Sequence, residues 1–388
     1  MRLGMYMLPW REPSILASME DIPGVLEREG LQRPLVITDA GLARAGLLDR
    51  LNAALIDWPH AIYDGVVPNP TTDNIEAARA LYLDKGCDCL IALGGGSPMD
   101  CAKAVGARIA RPKKPVSRMR GQLKVLRRVP TLIAIPTTSG TGSEATLAAV
   151  VADPAAREKY AINDPALIPS YAVLDPNLTL GLPPDVTAQT GMDALTHAIE
   201  AYIGRSNTRK TRDSALLAIR LIDEHLVTAF SQGTNLDARL GMQRASYLAG
   251  TAFTRAYVGY VHAIAHQLGA LYGTPHGLAN AILLPHVLSF YGEAVYAPMS
   301  DIYEAYGGPD PEAPPDERAR YVIGKIHAVN RLMGIPARAA DIRERDIARI
   351  VEGAYREAVP LYPAPRMLDR RELTALVRSV MAEEPKKQ

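Results

Sequence analysis

Up to about residue 180 the chain alternates short apolar runs with segments of helical period. PLVIT (34–38) and CLIAL (89–93) are continuous apolar runs of strand length bounded by polar or glycine-rich stretches, and TLIAI (131–135) and YAVLD (171–175) repeat the pattern. Between the first two, DNIEAARALYLDKG (73–86) reads as a helix closed by Gly86, and a further helix is expected from Ser97. Strands alternating with helices predict an α/β unit whose parallel sheet is covered on both faces.

After GLPPD (181–185) the strand-like runs give way to DVTAQTGMDALTHAIEAYIG, RDSALLAIRLIDEHLVTAF and LDARLGMQRASYLAGTAF, all of helical period. The doublet Pro183–Pro184 marks an expected boundary between an α/β domain, 1–182, and an all-helical domain, 183–388. GGPDPEAPPDE (307–317) reads as a surface loop and EEPKKQ as a fraying end. No internal repeat is visible. The apolar LGMYML near the start is a candidate for pairing with the sheet edge of a second subunit, so a homodimer or higher homo-oligomer is expected.

Composition narrows the class. With 388 residues the chain can bury a substantial core, and 48% hydrophobic with 22% charged residues is a globular profile. A formal net charge of +1 offers no electrostatic footprint for nucleic acid or an anionic membrane, so an anion would need a local site. Cys87, Cys89 and Cys101 lack metal or redox spacing and read as reduced interior thiols. No secretion signal opens the chain and no apolar stretch is expected to span a membrane, which points to a soluble cytoplasmic protein.

Three loops follow predicted strands. GGGSPMDCAKAVGA begins at Gly94, with Gly95 and Gly96 next, Ser97 as expected N-cap, Pro98 in the first turn and Asp100 at capping-box-like spacing. Side-chain-free glycines let a ligand touch the backbone, and a helix N-terminus attracts phosphate. The motif is not GxGxxG, and no acid stands about 20 residues later; a tight turn is the alternative. Asp39, directly after PLVIT, is placed either to accept bonds from ribose hydroxyls or to form a turn. PTTSGTGSEAT (136–146) offers the hydroxyls of Thr137, Thr138, Ser139, Thr141 and Ser143 around two glycines, suggesting a ligand shared with the first loop.

In GMDALTHAIEAY, Asp193 and His197 stand four residues apart, on one face of a helix. Four more histidines lie between 262 and 286; His262 and His266 share a face at the same spacing, and His276 sits between Pro275 and Gly277 at the opening of another helix. Singly, such histidines are commonly packed or solvated. Together with the carboxylate they form a nitrogen and oxygen donor set suited to Fe(II) or Zn(II).

GGGSPMDCAKA, PTTSGTGSEAT, GMDALTHAIEAY and VHAIAHQLG…PHG resemble, in order and spacing, the iron-containing (group III) alcohol dehydrogenases, over about residues 30 to 290 and more loosely to the C-terminus. The resemblance implies a Rossmann-like N-terminal domain, a helical C-terminal domain, and a cleft holding NAD, in preference to NADP, with one divalent metal, Fe(II) before Zn(II). It implies metal ligands Asp193, His197, His262 and His276, with His266 as proton relay. Gly95, Gly96, Ser97 and Asp100 would hold the pyrophosphate side of the cofactor, Thr137, Thr138, Thr141 and Ser143 would complete the pocket, and Asp39 would face the ribose. The implied reaction moves hydride between a small primary alcohol or diol and nicotinamide; glycerol dehydrogenase, maleylacetate reductase and a dehydroquinate synthase-like lyase are related alternatives. FTRAYVGYVHA (253–263) departs from the usual wording. It is read as a helix entering the site, with Phe253, Arg255 and Tyr257 as substrate-side candidates and Arg255 alternatively paired at a contact.

Overall fold

The computed structural model describes residues 10–156 and 158–382, so the LGMYML segment and the EEPKKQ tail lie outside the described residues. The chain divides into two compact units, one ending at Thr179 and the next beginning at Leu180.

The first unit is built on strands β1 (Ser14–Leu16), β2 (Pro34–Ile37), β3 (Ala61–Tyr63), β4 (Cys89–Gly94), β6 (Thr131–Pro136) and β9 (Tyr171–Val173), in the spatial order β1-β9-β6-β4-β2-β3. Every neighbouring pair is parallel. The four predicted runs became β2, β4, β6 and β9. Successive residues face opposite sides of the sheet, and both sides are covered. Leu35, Ile37, Leu90 and Ala92 pack in one cluster with Ile75 and Ala78 of α4 (Thr72–Asp84) and Met99, Ala102 and Val105 of α5 (Gly96–Ala110). Val36, Ile91 and Leu93 pack in the other with Val25 and Leu26 of α1 (Ile22–Glu29) and Leu51 of α3 (Leu47–Ala54). A second sheet, β5-β8-β7, joins β5 (Gly121–Gln122), β7 (Ala148–Asp153) and β8 (Glu158–Asn163). It was not predicted, because AAVVAD and EKYAIN bury only part of each strand and show weak alternation.

Helix α5 departs from expectation at its start. Gly95 is the N-cap, with no side-chain cap bond, and Ser97 lies inside the helix, accepting the Asn69 N–H at 3.2 Å. Gly94, at φ +148°, makes the turn, and a Cβ there would come within 2.5 Å of Pro98. Asp39 is the N-cap of the short α2 (Ala40–Arg44), its Oδ1 accepting from Gly41 and Leu42 at 2.8 and 3.0 Å.

The second unit is helical: α6 (Pro184–Ile203), α7 (Arg209–Ser231), α8 (Leu236–Ala256), α9 (Tyr260–Tyr272), α10 (His276–Tyr291), α11 (Tyr296–Ala305), α12 (Pro315–Leu332), α13 (Ile347–Ala358) and α14 (Arg370–Val380) surround one apolar core. Contrary to expectation, one helical run, His276–Ala305, is long and apolar enough to cross a membrane, but 61% of its most apolar window is buried. Its Leu283, Leu284, Val287 and Leu288 belong to the core of this unit.

The segment 253–263 is not one helix. It breaks between Ala256 and Tyr260. Two causes are visible: the Gly259 and Val261 N–H groups donate to the carboxylate of Glu200, both at 2.8 Å, and Tyr257 adopts φ 66°, ψ −175°. That backbone region is essentially reserved for glycine and costs another residue about 1–3 kcal/mol. Tyr257→Gly relieves this strain, against roughly 0.5–1 kcal/mol of extra chain entropy lost on folding. The variant is therefore expected to melt higher than the parent in calorimetry. A lower melting temperature would show that packing of the ring outweighs the strain.

Candidate metal centre and cofactor loops

Three helices bring four of the predicted residues together. Asp193 and His197 project from one face of α6, His262 from α9, and His276 is the first residue of α10. One ligand-type atom from each lies within 4.8 Å of those of the others. Asp193 Oδ1 stands 3.5 Å from His276 Nε2 and 3.9 Å from His262 Nε2, and Asp193 Oδ2 stands 4.0 Å from His197 Nδ1. Asp193, His197 and His262 are buried, whereas the His276 side chain is 40% exposed.

Close helix approach makes this convergence geometrically accessible. At Gly277 a Cβ would sit 2.2 Å from the backbone oxygen of Gln189 in α6, so only glycine lets the start of α10 come so near. Glu200, also on α6, anchors α9. It accepts from Gly259, from Val261 and, at 2.7 Å, from Nδ1 of His262. Burial pushes the Glu200 pKa up to about 7 against the pull of these N–H groups. Burial, reinforced by the neighbouring His197, His276 and His266, holds His262 well below the ordinary imidazole range. His262 is thus neutral, with its proton on Nδ1 and a lone pair on Nε2, the arrangement of a carboxylate-oriented ligand histidine.

The donor chemistry fits a cation. Asp193 Oδ1, His262 Nε2 and His276 Nε2 all face Nδ2 of Asn280, at 2.7, 3.2 and 3.1 Å. An amide nitrogen has two hydrogens for those three acceptors. Three imidazoles and one carboxylate form a set suited to Fe(II) or Zn(II).

His266, one turn beyond His262, stacks on His276 at 5.2 Å and bonds through Nδ1 to Glu357 Oε1 at 2.6 Å. Tyr362 donates to the same oxygen at 2.7 Å. Burial raises the Glu357 carboxyl, but the neighbouring His266 and these bonds outweigh it, and its pKa falls below the usual value. Phe253 stacks on His197 at 4.1 Å and so forms a wall of the cluster. Arg255 lies in the last turn of α8, where a cation suits the helix C-terminus. Tyr257 is half-buried at the break after that helix.

In the first unit, Asp39, the glycine loop and the hydroxyl-rich loop follow β2, β4 and β6, three adjacent parallel strands, so all three lie at the carboxyl end of the sheet. The strand order reverses between β2 and β4, the place where open α/β sheets bind ligands. The two loops touch: a Cβ on Gly95 would meet Thr138 Oγ1 at 3.4 Å, and one on Gly96 would meet Thr141 Cγ2 at 3.1 Å. The N–H of Thr137 donates to Gly94 O at 3.1 Å. With no side chain capping α5, its first N–H groups remain for an anion, and the loop fits a pyrophosphate. Asp100 is not a capping residue. It accepts from Ser143 Oγ at 2.8 Å and from the Val150 N–H at 3.0 Å, while buried Lys103 donates to Ser143, Thr146 and Ala148. Asp100 and Ser143 therefore join the loops to each other.

Glu200, Asn280, Lys103 and Glu357 were missed in the sequence. Glu200 had a signal, three residues past His197 on the same helical face, and Asn280 likewise stands four past His276. Lys103 lay inside the glycine motif. Glu357 had none, being 91 residues from His266.

Comparison with known proteins places the chain in a family. Residues 16–176 match the iron-containing alcohol dehydrogenase family, and residues 187–381 match the C-terminal region of the Fe-containing alcohol dehydrogenase family. The chain is 38% identical over 357 residues to 1,3-propanediol dehydrogenase of Klebsiella pneumoniae, covering 90% of this chain and 91% of that protein. A crystal structure of a 1,3-propanediol oxidoreductase superposes with a TM-score of 0.92 at 35% identity, covering 96% of this chain and 100% of the other. Sulfoacetaldehyde reductase from Bifidobacterium kashiwanohense, solved in complex with NAD+, gives 0.86 at 26% identity, with 96% and 99% covered. With both units matched and the relatives aligned along nearly their whole length, the chain belongs to the iron-containing alcohol dehydrogenase family.

Proposed function

We propose that this protein is a metal-dependent, NAD(H)-linked oxidoreductase that interconverts small primary alcohols or diols and their aldehydes. The observation that carries the reading is the convergence of Asp193, His197, His262 and His276 on one point. Those four residues would hold one divalent metal, Fe(II) by family and Zn(II) by donor chemistry as the rival. Gly95, Gly96 and Ser97 would cradle the cofactor's pyrophosphate, Thr137, Thr138 and Thr141 would close the pocket, and Asp39 would face the ribose. The Klebsiella relative, named for a short diol, and the Bifidobacterium reductase, bound to NAD+ and named for an aldehyde, support substrate and cofactor class. Three buried, free thiols support a reducing compartment such as the cytoplasm.

When bound, the metal polarises the substrate oxygen and nicotinamide carries the hydride. The chain's own residues provide orientation and a proton route. Glu200 keeps the His262 lone pair on Nε2. Glu357 holds the Nδ1 proton of His266, which leaves His266 Nε2 as the atom that takes up or returns a proton, and its partial exposure connects that atom to solvent. Phe253, lying flat on His197, limits the room beside the cluster and favours short substrates.

Reconstituted anaerobically with Fe(II), the protein is expected to consume NADH steadily with short aldehydes and to form NADH with 1,3-propanediol. Nucleotide cycling without net turnover would support the lyase-like alternative instead. His276→Ala is expected to lose metal and turnover together while retaining its circular dichroism, because this ligand is an exposed first-turn residue; full metal content would remove the ligand assignment. NADH is expected to be preferred over NADPH, since the Asp39 carboxylate repels a 2′-phosphate. Asp39→Gly should shift relative kcat/KM toward NADPH by about 1–3 kcal/mol. Glycine serves nearly as well at an N-cap, costing only a few tenths of a kcal/mol, so the effect is separable from loss of α2. Equal use of both cofactors by the parent would show that Asp39 does not face the ribose.

A further inference from the structure

We propose that Asn280 is a positioning residue of the metal centre, its side-chain amide fixing the plane of the Asp193 carboxylate; the proposal rests on the metal reading above. Asn280 is fully buried and stands one helical turn after His276, so both side chains leave α10 on the same face. Of the three acceptors around Nδ2, Asp193 Oδ1 is nearest, at 2.7 Å, against 3.1 and 3.2 Å for the two imidazole nitrogens. A bound cation takes the imidazole lone pairs, and the carboxylate oxygen, which has further lone pairs, is then the acceptor that keeps an amide hydrogen.

The other end of the same side chain makes a packing role a poor explanation. Asn280 Oδ1 is buried and has no hydrogen-bond partner among the described residues. A buried carbonyl without a donor is destabilising, and an apolar side chain of similar shape would avoid the penalty. Asn280 stands between Ala279 and Ala281 in a mostly apolar helix, yet its side chain meets the Asp193 carboxylate and two imidazole nitrogens. An amide placed there with its nitrogen on the ligand carboxylate is accounted for by the metal centre. Such outer partners typically change metal affinity 10- to 100-fold.

The test uses the full chain stripped of metal, with Co(II) as the probe, titrated against a competing chelator and followed by its d–d absorption. Asn280→Leu is expected to bind Co(II) at least 10-fold more weakly, with an altered d–d spectrum, and the metal-free variant is expected to melt below the metal-free parent because the buried Asp193 oxygen loses this donor. Unchanged affinity and spectrum would overturn the proposal, as would a lowered metal-free melting temperature with parental affinity, which would assign Asn280 to packing. Asn280→Ala, read in the same way, decides the matter if the leucine variant does not fold. A parent chain that binds no Co(II) would instead overturn the metal-centre reading itself.

Discussion

The carboxylate of Glu200 is the constraint on which the helical unit's centre depends. From α6 it takes two backbone N–H groups at the start of α9 and the Nδ1 proton of His262. The same contact therefore ends the continuous helix, sets where α9 begins and decides which nitrogen of His262 faces Asp193. It also explains Gly259: a Cβ there would lie 2.6 Å from Glu200 Oε1. Both oxygens of this buried carboxylate have a donor, so a change at Glu200 reaches the helix break, the His262 tautomer and the interhelical contact together.

The sheet end applies a comparable economy to a different problem. Parallel strands deliver Asp39, the glycine loop and the hydroxyl loop to the carboxyl end of the sheet, and the buried Lys103–Ser143–Asp100 network ties two of them into a single surface. Lys103 is almost fully buried, and that burial lowers its pKa to about 8, with Asp100 and Glu144 acting in the opposite direction. An interior ammonium of this kind is stable because its Nζ donates to three oxygens.

Much of this was legible in the sequence because it follows from periodicity. The strands β2, β4 and β6 are buried nearly throughout and read as unbroken apolar runs, and Asp193 with His197 is visible from helical spacing alone. The misreadings have specific causes. Ser97 looks like an N-cap until Gly94 and Gly95 turn the chain and start α5 at Gly96. FTRAYVGYVHA has no proline and an apolar rhythm that suits a helix, and only a carboxylate 59 residues away, reaching Gly259, interrupts it. The short edge strands β1 and β3, three residues each, carry too few positions for a pattern. Glu357 acts through tertiary proximity that local spacing does not encode, 91 residues from His266.

The uneven exposure of the four-residue cluster decides where solvent meets it. Asp193, His197 and His262 are 3%, 5% and 2% exposed, whereas the His276 side chain is 40% exposed, so of the four it is the one that meets solvent. That residue opens α10 behind Pro275, with no side-chain cap to hold the first turn. Its neighbour Gly277 packs against Gln189 of α6, so this turn is held by interhelical contact and not by a capping side chain. For an ion at this cluster, solvent access would be set on the His276 side, whereas the three buried side chains would be shielded from water.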